Sequence, residues 1–230
     1  MGRRPQVLDV PQRGRCTAKG FEDDPGQGAS RGRLPRQGQV HGGSSLRLIG
    51  ERVVLRDKML EDAPLDYQWR SDEELARLDA AFPLRSTYEE FLRLFRDQLR
   101  YPTPGSGRFG IEADEGRYIG NCMYYDSLNQ QTELGIVIGD KEYWGKGYGC
   151  DAVITLRDHL FTSTKLNLKR IYLHTLTWNV RAQKAFTKCG FEPVNNVRRS
   201  GMDFMLMDIH RTRWLALKSV EDAPATPISD

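Results

Sequence analysis

The chain has 230 residues, of which 39% are hydrophobic, and it carries a formal net charge of +3. This length accommodates one large domain, or one domain with tails. The net charge is too small to indicate a nucleic-acid-binding protein by itself. No apolar run approaches the roughly 20 residues that span a bilayer, and no apolar segment follows the N-terminal arginines as a secretory signal would require. We therefore expect no membrane association.

The spacing of the cysteines predicts the cellular compartment of the protein. None is paired in a C-x-x-C motif, and they are scattered over unlike surroundings, which predicts free thiols and neither a zinc site nor a disulfide framework. A reducing, cytoplasmic location is the expectation that follows. The four cysteines are Cys16, Cys122, Cys150 and Cys189.

The composition changes near residue 45. Residues 1–45 hold nine of the 22 glycines and eight Lys or Arg against four Asp or Glu, a net charge of +4 that leaves −1 for the rest. Such a segment buries too little apolar surface to offset the entropy of ordering it, which predicts a disordered basic tail. A basic arm that contacts RNA is the alternative. Residues 215–230 are predicted to be a flexible C-terminal tail, so the domain should span 46–214.

The first elements of this domain are a strand and two helices. Residues 46–56 alternate and are rich in Val and Leu, which predicts a strand. Helices are predicted over 62–70 and 86–100. Ser86 and Glu89 have capping-box spacing at the start of the second helix.

The remaining elements mix strands and helices. This order predicts an α/β domain with a mixed sheet and helices on both of its faces. The elements are strands over 109–113, 118–125 and 132–139, a helix over 149–162, a strand over 170–176, a helix over 179–188, and strands over 191–197 and 203–210.

A glycine-rich loop lies between the strand over 132–139 and the following helix. Gly145, Gly147 and Gly149 alternate with Lys146 and Tyr148. Glycine lets a backbone approach a ligand closely, and the unpaired N–H groups at a helix start attract an anion such as a pyrophosphate. A tight turn between strand and helix explains the same glycines without any ligand.

Two other phosphate-binding motifs fit this loop poorly. A P-loop places Lys and Ser or Thr directly after its last glycine, and both are absent after Gly149. A dinucleotide site places an acidic residue at the end of the next strand, where this chain has Thr175, Leu176 and Thr177.

Two segments together resemble the GNAT superfamily of acetyltransferases. YWGKGYGCDA, which begins at Tyr143, is similar to the family's pyrophosphate motif Q/R-x-x-G-x-G/A. Gly147 and Gly149 fill its small positions, and Trp144 replaces the usual Gln or Arg. WNVRAQKAFTKCGF, which begins at Trp178, is similar to the family's N-x-x-A…(Y/F)-x-x-x-G-F pattern. The resemblance covers about residues 46–214.

The resemblance also implies a branch, a fold and a co-substrate. The opening LRLIGERVVLR with a helix after it, together with Glu133, looks most like the branch of ribosomal-protein N-terminal acetyltransferases and relatives that act on small amines. The implied fold is a central, mostly antiparallel twisted sheet with helices on both faces. Acetyl-CoA is the implied co-substrate, and no metal is implied.

In the family, the strands before and after the glycine loop splay apart, and the pantetheine arm pairs with the first of them as an added strand. Asn179 would hydrogen-bond the arm from the other side, although Asn also favours a plain helix N-cap. The residues that the resemblance places at acetyl-CoA are Ile136, Val137, Ile138, Trp144, Gly145, Lys146, Gly147, Tyr148, Gly149, Cys150, Asn179, Ala182 and Phe186.

The implied reaction is attack of a neutral amine on the thioester. A lysine-like amine with a pKa near 10.4 is only about 0.1% neutral around pH 7.4, so the enzyme must accept a proton. Glu133 is the predicted base because it lies on the strand that presents the thioester; an exposed strand carboxylate is the alternative. Phe186 stands where many relatives place a Tyr acid. Water or a hydroxyl such as that of Tyr148 would then protonate the leaving thiolate.

The acceptor pocket should lie across the thioester, near the first two helices. Trp69, Phe82, Tyr124 and Tyr125 are its predicted walls, and ordinary packing is the alternative for each. The carboxylates of 72–74 attract a cationic amine or simply solvate a helix end. The predicted acceptor is a protein N-terminus or a small amine, and an exposed sheet edge allows a homodimer. A non-catalytic acyl-CoA-binding module and an RNA-associated protein are the alternative functions.

Overall fold

Eight strands of residues 46–221, the part of the chain that the computed structural model describes, form one sheet. Its order is β1-β2-β3-β4-β5-β6-β8-β7, and every neighbouring pair is antiparallel except β5 and β6, which are parallel. The strands are β1 (Arg47–Ile49), β2 (Val54–Asp57), β3 (Gly107–Ala113), β4 (Arg117–Leu128), β5 (Gln131–Ile138), β6 (Arg170–Leu176), β7 (Glu192–Arg199) and β8 (Met202–His210).

Six α-helices of the same described residues cover the sheet, which confirms the predicted mixed α/β fold with helices on both faces. Within residues 46–221, no helix is both long and apolar enough to cross a membrane. The helices are α1 (Ala63–Ser71), α2 (Glu73–Leu78), α3 (Tyr88–Arg100), α4 (Tyr148–Thr162), α5 (Val180–Lys188) and α6 (Arg211–Glu221).

The main core lies between the sheet and the helices α4, α5 and α6. Alternate strand residues point to this face because successive side chains of a strand lie on opposite sides. Leu55 of β2, Ile111 of β3 and Ile171 of β6 are completely buried there, together with Leu156 and Leu160 of α4.

The opposite face of the sheet carries α1 and α3. Ala63, Phe91 and Phe95 form a smaller buried cluster on that side. Arg56 follows Leu55 in β2 and therefore points to this second face, where its guanidinium donates to both carboxylate oxygens of Asp62 at 2.8 and 2.7 Å. A buried charge needs such a bidentate partner, so this pair fixes the start of α1 against the sheet.

The predicted strand over 46–56 is wrong in one respect, because it is two short strands joined by a turn. β1 pairs antiparallel with β2 around residues 50–53. The Asp151 carboxylate of α4 accepts the backbone N–H groups of Glu51, Arg52 and Val53 at 3.1, 2.7 and 3.0 Å. A partner about 100 residues away therefore sets the turn, and the local alternation does not reveal it.

Three further differences concern helix ends. The capping box of α3 is formed by Thr87 and Glu90, not by Ser86 and Glu89. The short helix α2 was not predicted; its N-cap is Asp72, whose carboxylate accepts from Leu75 N at 2.8 Å. α6 continues beyond the domain boundary predicted at residue 214. The predicted tail over 1–45, and residues 222–230 of the other predicted tail, lie outside the described residues.

We expect Asp151→Ala to lower the free energy of unfolding by about 2–3 kcal/mol, because three backbone donors lose a charged acceptor. Urea denaturation measures the change. Glu142→Ala is the matched control, since the Glu142 side chain is 74% exposed and its ion pair with Arg117 lies at the surface, where such pairs contribute little. Equal small losses in the two variants would contradict this role of Asp151.

Candidate functional site

A gap opens between β5 and β6, and it is the central feature of the site. The two parallel strands pair through only three positions, from Gln131↔Arg170 to Glu133↔Tyr172. Beyond them β5 stays with β4 as far as Ile138, while β6 stays with β8 as far as Leu176. The sheet is therefore split between residues 134–138 and 173–176, which continue from the paired positions toward the carboxyl ends of both strands.

Side chains bind the last carbonyl on each side of the gap. The Trp144 indole Nε1 donates to Ile138 O at 2.7 Å, and the Gln183 amide donates to Leu176 O at 3.1 Å. A buried backbone group needs a partner, so these contacts finish the two strand ends and leave the gap between them. A carbonyl has two lone pairs, and Ile138 O can accept a second bond from a ligand.

The glycine loop enters α4 beside this gap. Gly145 and Gly147 have φ angles of +73° and +94°, in the left-handed region that favours glycine. Gly147 is the N-cap of α4, and no side chain caps the helix there. The N–H groups at the start of the 15-residue helix α4 therefore face the loop as anion donors.

Two cations contact residues of the loop. Arg52 Nη1 donates to Lys146 O at 2.9 Å, and the same guanidinium lies 6.0 Å from the centroid of the Tyr148 ring. Lys141 Nζ lies 5.8 Å from the centroid of the Trp144 ring, and it binds Asp72 at 3.0 Å and Glu74 at 2.7 Å. Asp72 thus caps α2 and, with Glu74, pairs with Lys141.

The two segments that carry the resemblance meet at the gap. The Arg181 guanidinium of α5 lies 4.2 Å from the centroid of the Trp144 ring, a cation–π contact between the segments. Asn179 Oδ1 accepts Ala182 N–H at 3.2 Å, so Asn179 is the N-cap of α5. Its Nδ2 is then the atom that suits a ligand as donor. Phe186 is half-buried against the main core and 6.2 Å from the Phe191 ring.

A buried cluster lies where the pairing of β5 and β6 ends, and the sequence indicates only one of its members, Glu133. Glu133 Oε1 lies 2.8 Å from His174 Nδ1, and Arg199 Nη1 lies 3.1 Å from that nitrogen and 3.8 Å from Glu133 Oε1. The Glu133 and His174 side chains are 5% and 4% exposed. No local motif marks His174 or Arg199. The only signal in the sequence is a His within the predicted strand over 170–176.

One hydrogen decides which contact His174 makes. A guanidinium only donates, whereas a carboxylate accepts. With a hydrogen on Nδ1, His174 donates to Glu133; without it, Nδ1 accepts from Arg199. The imidazole tautomer therefore decides whether His174 is bonded to Glu133 or to Arg199, at the last paired position of β5 and β6 beside the gap.

The four predicted acceptor walls are not brought together. Trp69 of α1 packs on Gly139, where a Cβ would lie 2.0 Å from the indole, and Tyr125 lies opposite Glu133 on the α1 side of the sheet. Tyr124 points to the other face and stacks on Phe109 at 6.4 Å. Phe82 is 93% exposed.

Tyr148 is held away from the leaving-group role considered for it. Its hydroxyl donates to the Asp114 carboxylate at 3.1 Å, on the turn between β3 and β4. Partial desolvation and the Asp114 carboxylate raise the pKa of Tyr148. A phenol with a raised pKa is a poorer acid. Among residues 46–221, no three His, Cys, Asp or Glu side chains are grouped to hold a metal ion.

Comparison with known proteins decides the family. The model of the Acetyltransferase (GNAT) domain matches residues 52–192. The chain belongs to the GNAT acetyltransferase family. It is accordingly an acetyl-CoA-dependent N-acetyltransferase. It is 32% identical over 152 residues to the uncharacterized N-acetyltransferase p20 of Bacillus licheniformis, a match that covers 63% of this chain and 82% of that protein.

Solved structures share the GNAT fold. The spermidine N-acetyltransferase of Vibrio cholerae, in complex with CoA and spermine, matches with a TM-score of 0.61 and 22% identity over 71% of this chain and 98% of that one. An aminoglycoside acetyltransferase in complex with coenzyme A matches with a TM-score of 0.62 and 18% identity over 72% of this chain and 99% of that one. At these identities the likeness shows the fold alone.

Two glycine substitutions separate the roles of the loop. Gly147→Ala should lower the free energy of unfolding by about 1 kcal/mol, because alanine at a φ of +94° is strained. Gly149→Ala should raise it by about 0.5–1 kcal/mol, because Gly149 lies inside α4 and its Cβ would have ordinary contact with Ile138 at 3.5 Å. Thermal and urea unfolding measure both. The same sign of change in the two variants would contradict this geometry.

Proposed function

We propose that the chain moves the acetyl group of acetyl-CoA to a primary amine, a protein N-terminus or a small amine, by direct attack in a ternary complex. The observation that carries the proposal is the gap between β5 and β6, with the glycine loop and α4 on one side and Asn179 on the other. An extended, amide-bearing arm fits between two such strand edges, and an anion fits the uncapped helix start.

The proposed acetyl-CoA site follows from this fit. Residues 136–138 would pair with the pantetheine arm by strand addition, and Asn179 Nδ2 would donate to it from the start of α5. The backbone from Trp144 to Cys150 would hold the pyrophosphate through N–H groups and the positive end of α4. Ala182 and Phe186, on the α5 side, would contact the arm. Acetyl-CoA supplies the activated acetyl group.

We propose that Glu133 accepts the proton of the amine, directly or through a water molecule. The Glu133 carboxylate lies beside the gap and on the sheet face that carries α1, together with Trp69 and Tyr125. The amine would approach from this face, with Trp69 and Tyr125 as its proposed contacts. His174 is the proposed positioning residue, because its 2.8 Å contact fixes the carboxylate.

The leaving thiolate would be protonated by water. Phe186 has no proton to give, and the Tyr148 hydroxyl is bound to Asp114. A thiol has a pKa of about 8.5 by analogy with cysteine, so its thiolate is a tolerable leaving group without an acid. Cys122, Cys150 and Cys189 are free thiols, which supports the proposed cytoplasmic location.

Calorimetric titration with CoA and a thiol-release assay with acetyl-CoA test the proposal. The acceptor probes are spermidine, kanamycin and a short peptide with a free N-terminus. We expect CoA binding and amine-dependent thiol release with at least one probe class. Binding without turnover on any amine would instead favour a non-catalytic acyl-CoA-binding module, and the absence of CoA binding would overturn the site itself.

Glu133→Gln should lower kcat/KM by about 100-fold, the lower range for loss of a general base. CoA affinity should stay near that of the wild type, since Glu133 lies on the sheet face away from α4. Glu142→Gln is the matched control, because it removes the same charge from a surface position. Equal kcat/KM values for Glu133→Gln and the control would rule out Glu133 as the base.

A second comparison addresses His174. His174→Gln should lower kcat several-fold and shift the pH dependence of kcat, because replacing the imidazole changes the hydrogen-bond partner that holds the proposed base Glu133. A purely structural role would lower the unfolding temperature and leave the shape of the pH profile unchanged. Stopped assays across the pH range, with thermal unfolding of the same sample, separate the two.

A further inference from the structure

Two cysteines lie together where α4 begins and α5 ends. Cys150 is in the first turn of α4, directly after the glycine loop, and Cys189 is the C-cap of α5. Both thiols approach the carbonyl oxygen of Ala185, at 3.6 Å from Cys150 Sγ and 3.1 Å from Cys189 Sγ. Cys189 Sγ also lies 3.6 Å from Cys150 O.

The surroundings of the two thiols differ in a way that suits a reactive thiol and its resolving partner. Cys150 is partly exposed, whereas Cys189 is 1% exposed. The hydrogen bond with the Cys189 thiol lowers the pKa of Cys150 to about 7, and the positive charge of Lys188 acts in the same direction. The same hydrogen bond, followed by burial, raises the pKa of Cys189. Near neutral pH the accessible sulfur is thus partly a thiolate, which is the nucleophilic form.

The Cys122 thiol differs from the Cys150 thiol in burial and in reactivity. It is completely buried in the main core, and burial raises the pKa of its thiol. A buried, protonated thiol is inert toward oxidants. The helix start adds to the difference, because Cys150 lies in the positive first turn of α4, whereas Cys122 lies in the strand β4.

We propose that Cys150 and Cys189 are a redox-active pair, which a hydroperoxide converts into a disulfide between α4 and α5. The Cys150 thiolate attacks one oxygen of hydrogen peroxide, the O–O bond breaks, and the products are a Cys150 sulfenic acid and, with one proton, water. The Cys189 sulfur then attacks the Cys150 sulfur, the S–O bond breaks, and the hydroxide leaves as water with the Cys189 proton. The two thiols lose two electrons, and the peroxide becomes two water molecules.

The second step is aided by the change in charge at Cys150. Once Cys150 is a neutral sulfenic acid, the negative sulfur that disfavoured ionisation of Cys189 is gone. The buried Arg157 guanidinium, which donates to Cys189 O at 2.7 Å, favours the Cys189 thiolate. The disulfide would join the first turn of α4 to the C-cap residue of α5, next to the glycine loop. This chemistry does not depend on acetyl transfer.

Mass spectrometry of the oxidised chain tests the pair. A full-length Cys16→Ser background leaves Cys122, Cys150 and Cys189 as the remaining thiols, and hydrogen peroxide is the oxidant. After blocking with N-ethylmaleimide and digestion without reductant, we expect a peptide that links Cys150 to Cys189 with the loss of two hydrogen atoms, and a reduced Cys122. The rate should rise with pH through a midpoint of about 7.

Single-cysteine variants separate the roles of the two thiols. In Cys150→Ser, Cys189 should stay reduced under the same peroxide treatment. In Cys189→Ser, and in Cys189→Ala as a second version if serine disturbs the fold, Cys150 should stop at a sulfenic acid that dimedone traps. Crosslinks that involve Cys122, equal peroxide sensitivity of Cys122 and Cys150, or a Cys150 that resists peroxide while the chain is folded would overturn the pair.

Discussion

The short parallel pairing of β5 with β6 is the constraint on which the rest of the site depends. Two adjacent strands normally hydrogen-bond to each other along their shared length. Separating them leaves the backbone donors and acceptors that face the gap without a strand partner. Here each strand keeps its other neighbour, β5 with β4 and β6 with β8, so each is stiff without the missing partner. Trp144 and Gln183 satisfy the two end carbonyls. What remains is a slot with backbone groups on both edges, a shape that an amide-bearing chain completes.

The loop at the mouth of this slot is anchored by residues far away in sequence. Asp151 binds the turn between β1 and β2, and Arg52 of that turn returns a hydrogen bond to Lys146. From the other face, Trp69 packs flat on Gly139. The glycine loop therefore has left-handed backbone conformations at Gly145 and Gly147, and contacts with distant residues fix its two ends. A backbone that must present N–H groups to an anion benefits from this arrangement, because little ordering remains for the moment of binding.

Local signals in the sequence were sufficient for most of the regular elements, but they did not predict the helices α2 and α6. The strand over 170–176 was predicted with its observed bounds, because alternation and turn residues bracket it. The glycine pattern located α4 within one residue. Failures occurred where a distant partner decides the structure: the turn over 50–53 depends on Asp151, and the cluster of Glu133 with His174 and Arg199 joins three strands.

The predicted acceptor walls illustrate a different limit. Tyr124 and Tyr125 are neighbours in β4, so strand alternation alone places them on opposite faces of the sheet. Both therefore cannot line one pocket. To choose between them, one must know which face of the sheet carries α4. Cys122 lies two positions before Tyr124, on the same face, and it belongs to the core beneath α4. That placement is known only from the folded structure. Phe82 belongs to the segment between α2 and α3, where no periodic pattern fixes an orientation. The acceptor pocket is thus the part of the site that depends most on tertiary packing.

In the proposed reaction, the leaving thiolate and the attacking amine need different amounts of help with proton transfer, because the pKa values of the thiol and the amine differ. A thiol near 8.5 leaves as a thiolate at neutral pH with little help, whereas a lysine-like amine near 10.4 must lose a proton before it can attack. The chain places an apolar Phe186 on the α5 side and a buried carboxylate with two polar partners at Glu133. A base at Glu133 matters most for a strongly basic acceptor. An α-amine with a pKa near 7.8 is already about 30% neutral around pH 7.4. In the proposed mechanism, the contribution of Glu133 to the rate therefore depends on how basic the acceptor amine is.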